Sequence, residues 1–530
     1  MGQSNEKSSL LINHQDNKIN KQSRGKWLNY TILSISGVII FLLISYYNLY
    51  NNSDQNLLSN FTNFNPLPPI FKPSPTLPSQ NQQQTFQLKH IYHHNVKTHN
   101  DIHRRLDITS EFIEINELNS NYEILSSKYS SKSPWNIQLP FKSQNVELMR
   151  LTDRSPDFIE SYLEYARIHG SQAISKINLD WDKSIVESPN ITDKETIITL
   201  ALMSSNAYVE IPQTGDWRNV SWNNSISHGW DNDGLRGHIF VNDDNSTVVI
   251  SFKGTSAAYI SSSGSDDTVE QDRDNDNLLF SCCCARVGYL WKTVCDCYVN
   301  SYTCDQRCLE RELYQKDKYY HAAMDVYRNV SSQYPNSNIW LTGHSLGGSL
   351  ASLVGRTFGL PTVTFEAPGE LLATKRLHLP FPPGLPDYME GIWHFGHTAD
   401  PIFMGVCNGA SSSCSVAGYA METQCHSGKQ CVYDVVSDKG WHVNLLNHRI
   451  HTVIDDVLEA YNDTALCIKT PPCRDCFNWN FVTEDQTSSQ TTTETSTTSL
   501  SSISATPTSE VPEKCKKWTW YGRCIEYEKH

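Results

Sequence analysis

The stretch Ile339-Trp340-Leu341-Thr342-Gly343-His344-Ser345-Leu346-Gly347-Gly348-Ser349-Leu350-Ala351 changes character at its middle. A short apolar run, the mark of a buried strand, gives way to Gly343-x-Ser345-x-Gly347 and then to small residues suited to a closely packed helix. A strand that turns sharply into a helix lifts the serine hydroxyl clear of a sheet. Glycine two residues to either side removes the Cβ atoms that would collide there. Ser345 is therefore the candidate nucleophile, with a strand before it and a helix after it as the chemistry requires.

Strand and helix keep alternating on both sides. Upstream, Thr192-Asp193-Lys194-Glu195 has the form of a capping box ahead of an apolar helix from Ile197 to Tyr208. Arg236 to Val241 and Thr247 to Phe252, separated by Asn242-Asp243-Asp244-Asn245, read as strand, turn and strand, and Lys318 to Gln333 as a helix. Downstream, Leu346 to Phe358 reads as helix, and Thr362 to Phe365 and Ile392 to Phe395 as strands. Leu446, Ile450, Val453, Ile454, Val457, Leu458 and Tyr461 make the apolar stripe of a last helix beginning near Asn447. The alternation predicts an α/β fold with a largely parallel sheet.

A nucleophilic serine needs a base, and the base an orienting carboxylate; after such an elbow they follow in the order Ser, Asp or Glu, His. Asp400 is the candidate acid, because it follows a strand and Pro401 ends any continuing structure; Asp387, in a Pro-rich loop, is the alternative. His442, His448 and His451 compete for the base. His448 is preferred because it falls at a loop-to-helix junction beside Asn447, a candidate N-cap, from which an imidazole can reach the sheet edge. Two donors should face the developing oxyanion: the N–H of Leu346, and the N–H or hydroxyl of Thr255 after the strand Val248 to Phe252.

The flanks look different. Trp27 to Ser53 carries no charged residue, and its apolar heart from Ile32 to Tyr47 is long enough to cross a bilayer core of about 30 Å. Lys18, Lys21, Arg24 and Lys26 precede it and no cation follows until Lys72, so residues 27–50 are expected to be a signal anchor with residues 1–26 cytosolic. A cleaved signal peptide is the alternative; no Ala-x-Ala-like site follows the run. Residues 51–85, rich in Pro, Asn and Gln, resemble a stalk, 86–191 an N-terminal extension, and 192–482 the catalytic domain. Residues 483–512 form a disordered Ser/Thr-rich linker before the short Cys/Trp segment 513–530.

All sixteen cysteines lie at or after Cys282, and sequons begin at Asn190, Asn219, Asn223, Asn245, Asn329 and Asn462. Both features fit an oxidising lumen, where disulfides persist and Asn is glycosylated. Cys407 with Cys414 and Cys425 with Cys431 are candidate staples of the acid-to-base loop. Cys295-x-Cys297 and Cys473-x-x-Cys476 have zinc-like spacing, but disulfides suit the compartment better, and no metal or other cofactor is expected. A net charge of −14 without a basic stripe excludes nucleic acid as a partner.

The segment from about Thr192 to Tyr461 resembles the fungal class 3 lipases. The resemblance rests on Ser251-Phe252-Lys253-Gly254-Thr255, on Thr342 to Gly348 (TGHSLGG), on His397 to Ile402 (HTADPI) and on Asn447-His448-Arg449-Ile450-His451. It implies an α/β-hydrolase fold and hydrolysis of carboxylic esters. Anchor, sequons, Cys282-Cys283-Cys284 and Ser/Thr-rich tail make the layout similar to the autophagy-related vacuolar lipases of yeasts. That likeness implies delivery through multivesicular bodies to the vacuole, with membrane phospholipids and neutral glycerolipids as substrate. One departure stands out: Ser256 to Arg286, where secreted relatives carry an amphipathic lid, is Ser- and Asp-rich here, which argues against an apolar lid helix.

Other classes are compatible with the same residues. A peptidase or an acyltransferase uses the same fold, and a catalytically dead tethered binding protein would keep the layout without the chemistry. Trp518, Trp520 and Tyr521 among Lys516, Lys517 and Arg523 would suit either a lipid surface or a small disulfide loop.

Overall fold

The computed structural model describes residues 84–94, 103–118, 134–209, 217–219, 234–256, 268–286, 293–382, 384–385, 389–409, 411–470, 472–483, 515–518 and 524–527. The anchor at 27–50, nearly all of the stalk at 51–85, and the Ser/Thr-rich linker from residue 484 lie outside them. Among the described residues no helix is long and apolar enough to cross a membrane.

Eleven strands form one sheet. In chain order they are β1 (Gln84–His94), β2 (His103–Asp107), β3 (Gln138–Phe141), β4 (Trp217–Asn219), β5 (Leu235–Asn242), β6 (Thr247–Phe252), β7 (Asn338–His344), β8 (Thr362–Phe365), β9 (Ile392–His397), β10 (Lys429–Tyr433) and β11 (Cys467–Lys469). Across the sheet the order is β11-β10-β9-β8-β7-β6-β5-β1-β2-β4, with β3 paired to β1. The five central strands β6, β7, β8, β9 and β10 are parallel, and every flanking pair is antiparallel. The sheet is thus parallel only at its centre. Residues 84–141, which span the end of the expected stalk and part of the expected extension at 86–191, supply three strands to the same sheet as the catalytic segment.

Period-two burial builds two layers on this sheet. Val248, Ile250 and Phe252 of β6 point into the cluster that holds Ala322, Met324, Leu346 and Leu350. Val249 points the other way, among Ile197, Leu200, Val453 and Val457. The helices concerned are α1 (Lys194–Asn206), α2 (Val269–Phe280), α3 (Tyr319–Gln333) and α4 (Leu346–Phe358). α1 covers one face together with residues 450–458, and α3 and α4 cover the other. The cap of α1 falls one residue later than the capping box suggests. Asp193 accepts from Thr196 N–H at 3.0 Å, while the Thr192 hydroxyl donates to Asn190 Oδ1.

Seven disulfides tie the described part together. Cys407–Cys414 forms as the sequence suggests, but Cys425 joins Cys473 and Cys431 joins Cys467. The cause is register: Cys431 of β10 lies directly opposite Cys467 of β11. The adjacent Cys282, Cys283 and Cys284 reach Cys476, Cys304 and Cys295. Cys297 pairs with Cys308, so the zinc-like spacings contribute half-cystines and not thiolate ligands.

The chain divides into two compact units, Met1–Phe481 and Val482–His530. In the second, Cys515–Trp518 pairs antiparallel with Cys524–Tyr527.

Candidate active site

The carboxyl ends of the parallel strands bring the candidate residues together, which is where open α/β sheets bind ligands. Ser345 follows β7 at φ 57° and caps α4. Its N–H donates to Phe365 O at 3.0 Å, and its carbonyl accepts from Gly348 N–H at 2.9 Å. The flanking glycines are required by close approach. A Cβ on Gly343 would strike the carbonyl of Gly347, and one on Gly347 the carbonyl of Phe252. The elbow is therefore wedged against the end of β6, which carries the oxyanion candidate.

Ser345 Oγ donates to His448 Nε2 at 2.8 Å, and His448 Nδ1–H donates to Asp400 Oδ2 at 2.7 Å. Ser345 is 3% exposed, and His448 and Asp400 are 0% exposed. Asp400 Oδ1 also accepts from Ile402 N–H at 2.8 Å, closing a turn within the sequence Asp400-Pro401-Ile402. Burial alone would raise the Asp400 carboxyl. The charge and hydrogen bond of His448 outweigh it and hold the group below the usual carboxylate range.

The segment carrying His448 differs from the single helix expected. Leu445–His448 is one tight turn, capped by Asn444, whose Oδ1 accepts from Leu446 N–H. Arg449 is extended, and the helix begins only at Ile450. His448 thus sits on the turn before the break. His451 lies past the break and is half-buried. Asp387 lies outside the described residues.

Sequence reasoning missed a second layer. His344 Nε2–H donates to the carbonyl of His448 at 2.7 Å, which leaves Nδ1 to accept from the Tyr208 hydroxyl at 2.8 Å. Burial, then the charge of His448, pushes the His344 imidazole down to about 3, so it stays neutral. The variable position of Gly-x-Ser-x-Gly therefore anchors the backbone of the base. The only signal in the sequence is that the position holds a polar ring.

Thr255 and Ser345 line one small cavity together with Asp276, Ile402, Cys414, Tyr419, Met421 and Leu445. Its hydroxyl bonds Asp276 Oδ2 at 2.6 Å. Burial drives the Asp276 carboxyl well above its ordinary value. The Thr255 hydroxyl donates in this bond; when the Asp276 carboxyl carries a proton it can donate instead, which frees the Thr255 hydrogen for an oxyanion. One turn earlier on α2, Asp272 accepts from Lys253 Nζ at 3.0 Å, from Tyr319 at 2.7 Å and from Ser256 N–H at 2.8 Å. The acid-rich segment is thus partly helical, contrary to its composition. Asp272 and Asp276 turn inward to hold the end of β6, while Glu270 is exposed.

The sequon side chains described are accessible to differing extents: Asn462 is exposed, and Asn190, Asn245 and Asn329 are half-buried. The side chains of Asn219 and Asn223 lie outside the described residues.

Fold and site together define a carboxylic ester hydrolase of the lipase type. The family Lipase (class 3) matches residues 249–359, from within β6 through the elbow to the end of α4. A Kluyveromyces lactis protein called "Putative lipase ATG15" is 54% identical over 477 residues, covering 85% of this chain and 90% of that one. Its namesake in Pichia angusta is 57% identical over 446 residues, covering 83% and 81%. Among solved structures, Lip2 lipase from Yarrowia lipolytica aligns at 15% identity over 46% of this chain and 80% of that one, with a TM-score of 0.24. The chain belongs to the yeast ATG15 lipase family, within the class 3 lipases.

Proposed function

We propose that the protein hydrolyses acyl esters of membrane phospholipids and neutral glycerolipids, with Ser345, His448 and Asp400 as nucleophile, base and orienting acid. The observation that carries this reading is the unbroken hydrogen-bond line from Ser345 Oγ through His448 to Asp400, opening on an apolar cavity. Ser345 Oγ attacks the acyl carbonyl while His448 Nε2 takes its proton and returns it to the departing glycerol oxygen. Water, deprotonated by the same nitrogen, then releases the fatty acid and restores the serine. Leu346 N–H at the start of α4 and Thr255 hold the oxyanion, helped by the positive end of the helix.

The mostly apolar lining supports an acyl chain as the group that lies against it, and exposed apolar side chains flank the residues that line the cavity. Val416 is 80% exposed two residues from Cys414, and Leu446 is 48% exposed next to Leu445. The autophagy-derived name of the relatives supports a role in lysing autophagic and multivesicular-body membranes. Seven disulfides and the six sequons support a lumenal catalytic domain. With the apolar run 27–50 as anchor and residues 1–26 cytosolic, the enzyme is a type II membrane protein of endosome and vacuole, held beside its substrate.

Incubating the purified protein with phosphatidylcholine vesicles, a triacylglycerol emulsion and a peptide ester mixture tests the substrate class. Free fatty acid from the vesicles is expected, without peptide cleavage or acyl transfer to added alcohol. Release from the emulsion alone would overturn the phospholipid assignment. Replacing Thr255 by Val removes the hydroxyl while keeping shape. It is expected to lower kcat by about 10²- to 10³-fold with little change in KM. An unchanged kcat would take Thr255 out of the oxyanion site.

A further inference from the structure

Behind Asp400 and His448 lies a second carboxyl group that the steps above leave unused. Glu366 directly follows β8, the neighbour of the nucleophile strand, and is fully buried. Its backbone is held at φ 46°, in the region that glycine tolerates and other residues rarely adopt. Its N–H donates to Phe365's neighbour across the sheet, Phe395 O, at 2.9 Å, so the backbone is clamped there. A side chain kept in such a conformation points to a use for that side chain.

The side chain hydrogen-bonds Asp400. Oε2 accepts from His397 N–H at 3.4 Å, and Oε1 receives no hydrogen bond from a protein donor. The His397 ring comes within 3.6 Å of Oε1, yet both its nitrogens are already engaged. Nε2–H donates to Asn447 O at 3.0 Å, and Nδ1 accepts from Ala399 N–H at 3.2 Å, which leaves the ring neutral. Two carboxyl groups can share a hydrogen bond only if one of them carries a proton. Asp400 already accepts from His448 Nδ1–H and Ile402 N–H, so Asp400 is the anion and the proton belongs to Glu366.

Given Ser345, His448 and Asp400 as the catalytic set, we infer that Glu366 is a positioning residue: a protonated acid that donates a hydrogen bond to Asp400 and keeps the enzyme working at low pH. Burial, and then the charge and hydrogen bond of Asp400, hold the Glu366 carboxyl well above its ordinary value. At Asp400 burial pushes upward, while the charge and hydrogen bond of His448, followed by the hydrogen bond of Glu366, pull the group below its ordinary value. The titratable groups facing Glu366 are Asp400 and His397, with His448 beyond Asp400, and burial keeps His397 on the neutral side. The sign follows. Without the Glu366 donor the Asp400 carboxyl binds its proton at higher pH, the base loses its orienting charge sooner, and the acid limb of activity moves up.

Glu366→Met fills the same volume without a donor, and Glu366→Gln keeps a donor that never ionises. The full chain in both forms, with wild type and Ser345→Ala, would be assayed for kcat/KM against pH on a soluble short-chain ester, with melting temperatures as a check on folding. E366M is expected to move the acid limb up by about one pH unit, roughly a tenfold loss at the acid end, with KM nearly unchanged. E366Q should lose no more than about threefold there, since its amide still donates. An acid limb of E366M that overlays wild type would overturn the proposal. So would equal losses in E366M and E366Q at every pH, which would mark a purely structural role. Ser345→Ala separates the two levels: residual full activity would remove the triad itself, whereas an inactive S345A beside an unmoved E366M limb would remove only Glu366.

Discussion

Ser345→Ala is expected to abolish fatty-acid release, lowering kcat on the order of 10⁶-fold while leaving the fold intact. The magnitude follows from how completely the chemistry depends on one oxygen. The hydroxyl of Ser345 is the group that His448 Nε2 holds at 2.8 Å, and the Thr255 hydroxyl, across the same cavity, is engaged with Asp276. His448 alone has no acyl acceptor to activate except water. Donors at Leu346 and Thr255 would still stabilise the oxyanion of a direct water attack, leaving a residual acceleration of roughly 10³- to 10⁴-fold over solution. Alanine tolerates φ 57° no worse than serine does, so the melting temperature should move little. Initial rates on phospholipid vesicles, with fatty acid quantified directly, give the answer. A variant keeping more than about one percent of wild-type kcat would mean that another group is the nucleophile.

What the sequence made legible follows from range. The elbow depends on residues within a few positions of one another: an apolar strand, two glycines and a small-residue helix. α4 accordingly occupies Leu346–Phe358 and β8 Thr362–Phe365, as local patterning predicts. The order Ser, Asp, His is equally local, since Asp400 and His448 each stand at a visible junction, before Pro401 and ahead of the last apolar stripe. β1, β2 and β3 were not legible as parts of the sheet. Their partner β5 lies far along the chain, and His90, His93, His94 and His103 obscure the apolar alternation that marks a strand.

Pairing and protonation are less visible still, because they belong to the assembled interior. Cys431 meets Cys467 through the register of β10 and β11, which no spacing rule encodes. The acids of residues 266–276 look like a solvated run, yet Asp272 and Asp276 face Lys253 and Thr255. A charge pattern states only that charges are present; the side of the helix that meets a buried lysine is set by tertiary packing. His344, Tyr208 and Glu366 are single polar residues in apolar surroundings. Each becomes interpretable only once its neighbour, His448 or Asp400, is in place.

Asp400→Asn is expected to reduce kcat by about 10⁴-fold without unfolding the protein, less severe than the loss of Ser345 and for a different reason. In the wild-type site the carboxylate takes the hydrogen of His448 Nδ1, so Nε2 is the bare nitrogen facing Ser345 Oγ. An asparagine amide presented to Nδ1 donates a hydrogen instead. The imidazole then carries its own hydrogen on Nε2, pointing at the serine, and can no longer take the serine proton. The imidazolium formed during attack also loses its countercharge in a site where all three groups are buried. Asn can still accept from Ile402 N–H through its carbonyl, which preserves the turn. Asp387→Asn is the control, since that residue is the alternative acid from sequence, and its kcat should stay within about twofold of wild type. The assignment would be lost if D400N kept kcat within tenfold of wild type, or if D387N fell as far. The E366M loss should be much smaller than that of D400N and confined to the acid end of the profile, because Glu366 tunes a charge that D400N removes outright.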